Sequence, residues 1–181
     1  MTQPARLALS IQYAAEQANL PSRADFRRWA RAALLHDVAA ALRVVDEAEG
    51  MALNRDYRRK PYATNVLTFA YGAETEGGPL SGDIVLCAPV VEREAAQQGK
   101  PLAEHYAHLT VHGMLHLQGF EHGNEHDARR MERLEVRILA KLGFADPYGR
   151  EERGERREGK KRSSRASRLS PLASRSPQHG R

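Results

Sequence analysis

His112-Gly113-Met114-Leu115-His116-Leu117-Gln118-Gly119-Phe120-Glu121-His122 decides how this 181-residue chain is read. On a helix turning about 100° per residue, His112 and His116 project from one face, one turn apart. That spacing lets two imidazoles reach a single ion at about 2.0–2.1 Å from each. Gly119 then stops the helix, because glycine readily takes the left-handed conformation that ends helices. The returning chain can deliver His122 to a third position. Three neutral imidazoles leave the fourth tetrahedral position open to water, the arrangement of a catalytic zinc rather than a structural one.

Six of the eight histidines fall between His105 and His126. With three ligands already in hand, His105 and His108 read as packing residues or as partners behind the ligands, and His126 as solvated. The chain has a single cysteine, Cys87, so no four-thiolate site and no internal disulfide can form, and any metal falls to histidine or carboxylate. The spacing of the triplet is that of the metzincin proteases, whose general-base glutamate directly follows the first histidine. Here that position is Gly113. The usual peptidase mechanism therefore lacks its proton acceptor, and another hydrolytic substrate is favoured.

Outward from the histidines, Pro101 opens the helix that carries them and Asn124 caps a last helix that Gly143 stops. Pro89 suits the first turn of a preceding helix ending near Gly99. Residues 6 to 13 alternate, with Leu7, Leu9, Ile11 and Tyr13 on one face, and read as a half-buried strand. Ser22 and Asp25 form a capping box ahead of a helix whose Phe26, Trp29, Ala30, Ala33 and Leu34 face the core rather than nucleobases. Residues 40 to 45 read as a second strand, and Glu47 to Tyr57 as a short helix weakened by Gly50. Val66-Leu67-Thr68-Phe69 and Gly82-Asp83-Ile84-Val85-Leu86-Cys87 read as two more strands across a loop from Gly72 to Gly82, with Cys87 a buried hydrophobe. No internal repeat is visible.

The chain is 41% apolar and 28% charged, enough for one ordinary domain. The formal charge of +5 is unevenly placed: from Gly149 to Arg181 there are 11 Lys+Arg and 4 Asp+Glu, a net +7, which leaves the other 148 residues at −2. Residues 1–148 are thus expected to form the domain. Residues 149–181 are expected to form a basic, disordered tail that could add nucleic-acid affinity by counterion release. No run approaches the about 18 apolar residues of a membrane span, and the first 20 residues lack the features of a secretory signal, so a cytoplasmic protein without membrane contact is expected.

The histidine stretch, with Leu53-Asn54-x2-Tyr57-Arg58, Thr64-Asn65-Val66-Leu67-Thr68-Phe69 and Gly82-Asp83-Ile84, closely resembles the YbeY family of bacterial endoribonucleases over roughly residues 5 to 148. The resemblance implies a zincin-like α+β single domain, with a mixed four-stranded sheet packed with about five helices and the zinc-site helix central. It implies a zinc-dependent endoribonuclease specific for single strands, acting in 16S rRNA 3′-end maturation, ribosome biogenesis and late-stage ribosome quality control. One Zn2+ per chain would be held by His112, His116 and His122, and Arg58 would be the functional arginine. The implied partners are single-stranded RNA, the 16S rRNA precursor and ribosomal particles, with ribosomal proteins or assembly GTPases. Lys60-Pro61-Tyr62-Ala63 departs from the family's Lys-Asp-x-Pro-Thr stretch. Two other readings stay open: a non-catalytic assembly factor, marked by a protein side chain in the metal's fourth position, and a peptidase or small-molecule hydrolase, marked by a carboxylate brought in from elsewhere.

Overall fold

The structure, a computed structural model, describes residues 4–149; beyond Gly149, the expectations for the basic tail lie outside the described residues. Strands β1 (Leu7–Ala14), β2 (Val38–Val45), β3 (Val66–Ala73) and β4 (Leu80–Cys87) alternate with helices α1 (Arg23–Ala32) and α2 (Glu47–Arg58), and are followed by α3 (Ala88–Gln98), α4 (Leu102–Leu117) and α5 (Glu125–Lys141). The sheet order is β1-β2-β4-β3. β1, β2 and β4 run parallel, and β3 is an antiparallel edge strand. This is the expected α+β domain with a mixed four-stranded sheet and five helices.

The caps expected from the sequence form as local chemistry dictates. Ser22 and Asp25 make a reciprocal capping box, and the Asn124 side chain accepts from the Asp127 amide. The third strand runs four residues past Phe69 to Ala73, with a register shift against β4 that leaves Tyr71 unpaired between Ala70 and Gly72, so the loop expected from Gly72 to Gly82 is shorter. β2 also begins two residues before its expected start. Gly50, expected to weaken α2, instead lets the helix approach β4: a Cβ there would lie 2.9 Å from Cys87 Sγ.

The histidine helix α4 is central. It packs on β3, β4, α1, α3 and α5. Its Tyr106, Val111, Met114 and Leu115 are fully buried in the main core with Phe26, Trp29, Leu42 and Ile84. Burial of side chains this size contributes about 1.5–3 kcal/mol each, which fixes the helix against the sheet. A smaller cluster of Val45, Leu67, Val85, Cys87 and Val90, with Leu53 and Phe69 against it, supports α2.

The end of α4 is clamped by Gln118. Its buried amide donates to the carbonyls of Ala33 and Met114 at 2.9 and 2.8 Å and accepts from the amides of Leu35 and His36 at 2.7 and 3.0 Å. All four hydrogen-bonding positions of one side chain thus tie the turn after α1 to the turn after α4. Gln118→Leu should destabilise the protein by about 2 kcal/mol or more, read as a lower midpoint in urea, because buried backbone groups lose their partner. An unchanged midpoint would mean that water substitutes for the clamp.

His105 serves the fold. Its Nε2 donates to Glu94 on α3 at 2.7 Å, and Asn65 Nδ2 donates to the same carboxylate oxygen at 2.9 Å. Burial alone would raise the Glu94 pKa, but the hydrogen bonds from His105 and Asn65 outweigh it and hold the carboxyl below its ordinary range. A depressed carboxyl pKa contributes stability that is present above the unfolded value, about 4.3, and is lost as pH falls through the folded value. Glu94→Gln should therefore flatten the fall in melting temperature below about pH 4.3; parallel acid profiles for the two proteins would rule this pair out.

Candidate metal centre

His112 and His116 project from the last turns of α4 toward the same side, as their spacing requires. Gly119, at φ 87°, then reverses the chain, with the Phe120 amide bonded to the Leu115 carbonyl at 3.1 Å and the Gly119 amide to that of His116 at 3.0 Å. These two bonds are the paired closure that satisfies the end of a helix. The reversal places His122 beside the other two. One ring nitrogen from each of His112, His116 and His122 lies within 4.8 Å of the others, and Nε2 of His116 and of His122 face each other at 2.9 Å. Two facing lone pairs at that distance repel unless they share a proton or a cation.

A shared cation requires neutral imidazoles. Burial, then the charges of His112 and His122, push the His116 pKa down to about 4, so this imidazole is neutral near pH 7 and offers its lone pair. The Nδ1–H of His112 donates to Glu135 Oε1 at 2.6 Å, which leaves Nε2 as the free lone pair. Glu135, on α5, is fully buried. It also accepts from His108 Nε2 at 3.3 Å. Burial on its own would raise the Glu135 pKa, but hydrogen bonds and charge from the two histidines overcome it and pull the carboxyl down to about 2. A carboxylate behind a ligating imidazole fixes the ring's tautomer and raises its basicity. The donor set, three imidazoles with one held in the correct tautomer, fits a zinc ion.

Of the flanking histidines, His108 stands behind His112 through Glu135, and His126 is an exposed side chain touching only Asp127 among the hydrogen bonds described. Glu135 was missed in the sequence. Its signal was a carboxylate at a position in register with Met131, Ile138 and Leu139, the buried stripe of α5. Gly113 faces the sheet, where a Cβ would meet two Ile84 side-chain atoms at 3.0 Å. The position that carries a glutamate in metzincins is here packed against β4.

The open side of the triplet is a cleft of about 400 Å³. Thr64, Asn65 and the alternate β3 residues Val66, Thr68 and Ala70 line it, together with Arg58 from the last turn of α2. The structure thus brings Arg58 into the same cleft as the three histidines, and no ion pair to Arg58 occurs among the described residues. The loop after it is pinned by Asn54, whose Nδ2 donates to the Tyr62 carbonyl at 2.6 Å, so the departure at Lys60-Pro61-Tyr62-Ala63 is accommodated in a fixed turn. Glu121 at the rim is the only carboxylate lining the cleft among the described residues. No fourth histidine, cysteine or carboxylate joins the triplet among those residues.

A family model described as Endoribonuclease YbeY matches residues 10–143. The chain belongs to the YbeY family. A protein of Nitrosospira multiformis named Endoribonuclease YbeY is 57% identical, over 80% of this chain and 83% of that protein. Another of the same name from Methylobacillus flagellatus is also 57% identical, over 82% of this chain and 97% of its own length. The solution structure of a Thermotoga maritima protein aligns at 21% identity and a TM-score of 0.47, covering 77% of this chain and 97% of that one. Membership of the YbeY family, a family of endoribonucleases, sets aside the peptidase reading. No helix among the described residues is long and apolar enough to cross a membrane.

Proposed function

We propose that this YbeY-family chain is a zinc-dependent endoribonuclease that cleaves single-stranded RNA in the cytoplasm, in 16S rRNA 3′-end maturation and in ribosome quality control. Its partners on this reading are the 16S rRNA precursor and ribosomal particles, with ribosomal proteins or assembly GTPases. His112, His116 and His122 hold the ion, Arg58 holds the substrate phosphate, and residues 1–148 form the catalytic domain with 149–181 as a basic extension. The observation that carries this reading is the three imidazole nitrogens within 4.8 Å on one wall of a cleft that Arg58 also lines.

When bound, zinc supplies Lewis acidity toward a phosphoryl oxygen and toward water. The rest of the work falls to this chain. The guanidinium of Arg58, always protonated, offers two parallel N–H groups to a phosphate and opposes the charge that grows as the phosphorus takes a fifth oxygen. Glu121, at the rim, is the candidate to take the proton from the attacking hydroxyl, whether the RNA's own 2′-hydroxyl or a water. Glu135 keeps His112 in the tautomer with a free Nε2. A cleft walled by the β3 edge strand and α4 admits one strand in preference to a stacked duplex, since an unpaired strand can bend its backbone into a site that a stiff A-form helix does not enter.

Metal analysis of the purified protein, together with cleavage of matched single- and double-stranded RNA, tests the reading. About one zinc per chain and cleavage confined to the single strand are expected. Cleavage that survives complete removal of metal would overturn it.

A further inference from the structure

Successive β3 side chains from Val66 to Ala70 point to opposite faces, and the alternation divides two surfaces. Val66, Thr68 and Ala70 line the metal cleft, whereas Leu67 and Phe69 lie on the other face and support α2, and Tyr71, at the register shift, joins that face through its bond to Asp83, the cross-strand partner of Phe69. On that face the ring of Tyr57, from the last turn of α2, leans on Phe69 with centroids 4.7 Å apart and planes tilted by 60°. Tyr57 is nevertheless 66% exposed and Tyr71 65% exposed. Tyr71 is held upright by donating its hydroxyl to Asp83 at 2.8 Å. Three cations follow Tyr57 directly in the chain: Arg58, Arg59 and Lys60. None of them forms a salt bridge among the described residues, and Arg59 takes a left-handed backbone conformation at the end of α2.

We propose that Tyr57 and Tyr71, with Phe69 backing the Tyr57 ring, form a base-stacking platform for the nucleotides of single-stranded RNA that run on from the phosphate held in the cleft, with Arg59 and Lys60 neutralising their phosphates. This rests on the endoribonuclease reading of the cleft. Exposed aromatic faces interleaved with unneutralised cations are what an unpaired strand requires, because every base presents a π-face and every linkage a negative charge. The route is short. Arg58 lines the cleft while its neighbour Tyr57 belongs to the platform, and Thr68 and Ala70 line the cleft while Phe69 and Tyr71 between and beyond them face the platform. Among the described residues β3 pairs only with β4, so a strand can cross its open edge from one surface to the other. Paired bases cannot stack there, so the platform adds a second reason for the enzyme to prefer unpaired RNA.

The test is binding rather than cleavage, by fluorescence anisotropy with the zinc-loaded protein and two 2′-O-methyl strands of twelve nucleotides. One is an oligoadenylate; the other is an abasic strand of equal length and charge. The wild-type protein should bind the oligoadenylate about tenfold or more tighter. Tyr57→Ala/Tyr71→Ala should erase that preference and leave the abasic affinity unchanged, whereas Tyr57→Phe/Tyr71→Phe should keep it. Arg59→Ala/Lys60→Ala should weaken both strands alike and lower the salt slope by about 1.4. Should Tyr57→Ala lower the melting temperature through its contact with Phe69, the exposed Tyr71→Ala decides the question. Equal affinity of the wild type for the two strands overturns the proposal, and would leave the aromatics as a protein-facing patch. So does an undiminished preference in the alanine variants. A base preference in a protein that cleaves no RNA would instead uphold the platform and overturn the nuclease reading.

Discussion

Replacing His116 with alanine is expected to give a folded protein that has lost its zinc and has lost RNA cleavage by about 10³-fold or more. Two imidazoles cannot hold a divalent ion as three do, and with the ion goes the several kcal/mol of charge stabilisation it supplies to phosphate chemistry. His116 is the cleaner choice over His112. Removing the His112 ring would also strip the buried Glu135 carboxylate of its 2.6 Å donor, mixing loss of metal with the cost of an under-partnered internal charge. Elemental analysis of the purified variant settles the matter. Metal content equal to that of the wild type would show that the ligands were wrongly assigned, whatever the activity.

Arg58→Ala and Arg58→Lys should both lose about 10²-fold or more in cleavage rate while retaining zinc and the wild-type melting temperature. The arginine is exposed, ends α2 and has no ion pair among the described residues, so nothing in the fold depends on its charge. The lysine variant carries the weight of the argument. An ammonium is a point charge, while a guanidinium presents a planar fork that matches two phosphate oxygens, so lysine should be a poor substitute if geometry matters. Cleavage by Arg58→Lys near the wild-type rate would reduce the role to diffuse charge. A marked drop in melting temperature for Arg58→Ala would assign the residue to the fold instead.

The parts of this site that were legible in the sequence are those governed by chain-local rules. His112 and His116 could be set on one face by helical period, and Gly119 could be named as the reversal because a positive φ was needed within one turn of the last ligand. Ser22 with Asp25 and Asn124 announced two helix starts by the same kind of local bonding. Glu135 was not legible as a partner of His112, since the two lie 23 positions apart and meet only because α5 folds back on α4. Nor was the strand order, which places β4 between β2 and β3 through contacts that no short window contains. The packing role of Gly50 was out of reach for a related reason. A helix propensity assigns it a local cost, whereas Cys87, 37 residues on, dictates that nothing larger fits. The family motifs supplied what period and spacing could not, namely that Arg58 belongs with the histidines.

Ten of the sixteen residues of α4 are buried, while His122 sits exposed on the short segment between Gly119 and Asn124. These two parts of one site therefore open at different free energies. Amides along the buried part of α4 should exchange with solvent deuterium only when the whole domain unfolds, whereas those from Gly119 to Asn124 should exchange through a local fluctuation. Two of the three imidazoles are thus expected to ride on a slowly exchanging part of the molecule and the third on a fast one. The lifetime of the assembled triplet is accordingly set by the dwell time of a six-residue turn, and can be lengthened or shortened there without touching the stability of the domain that bears it.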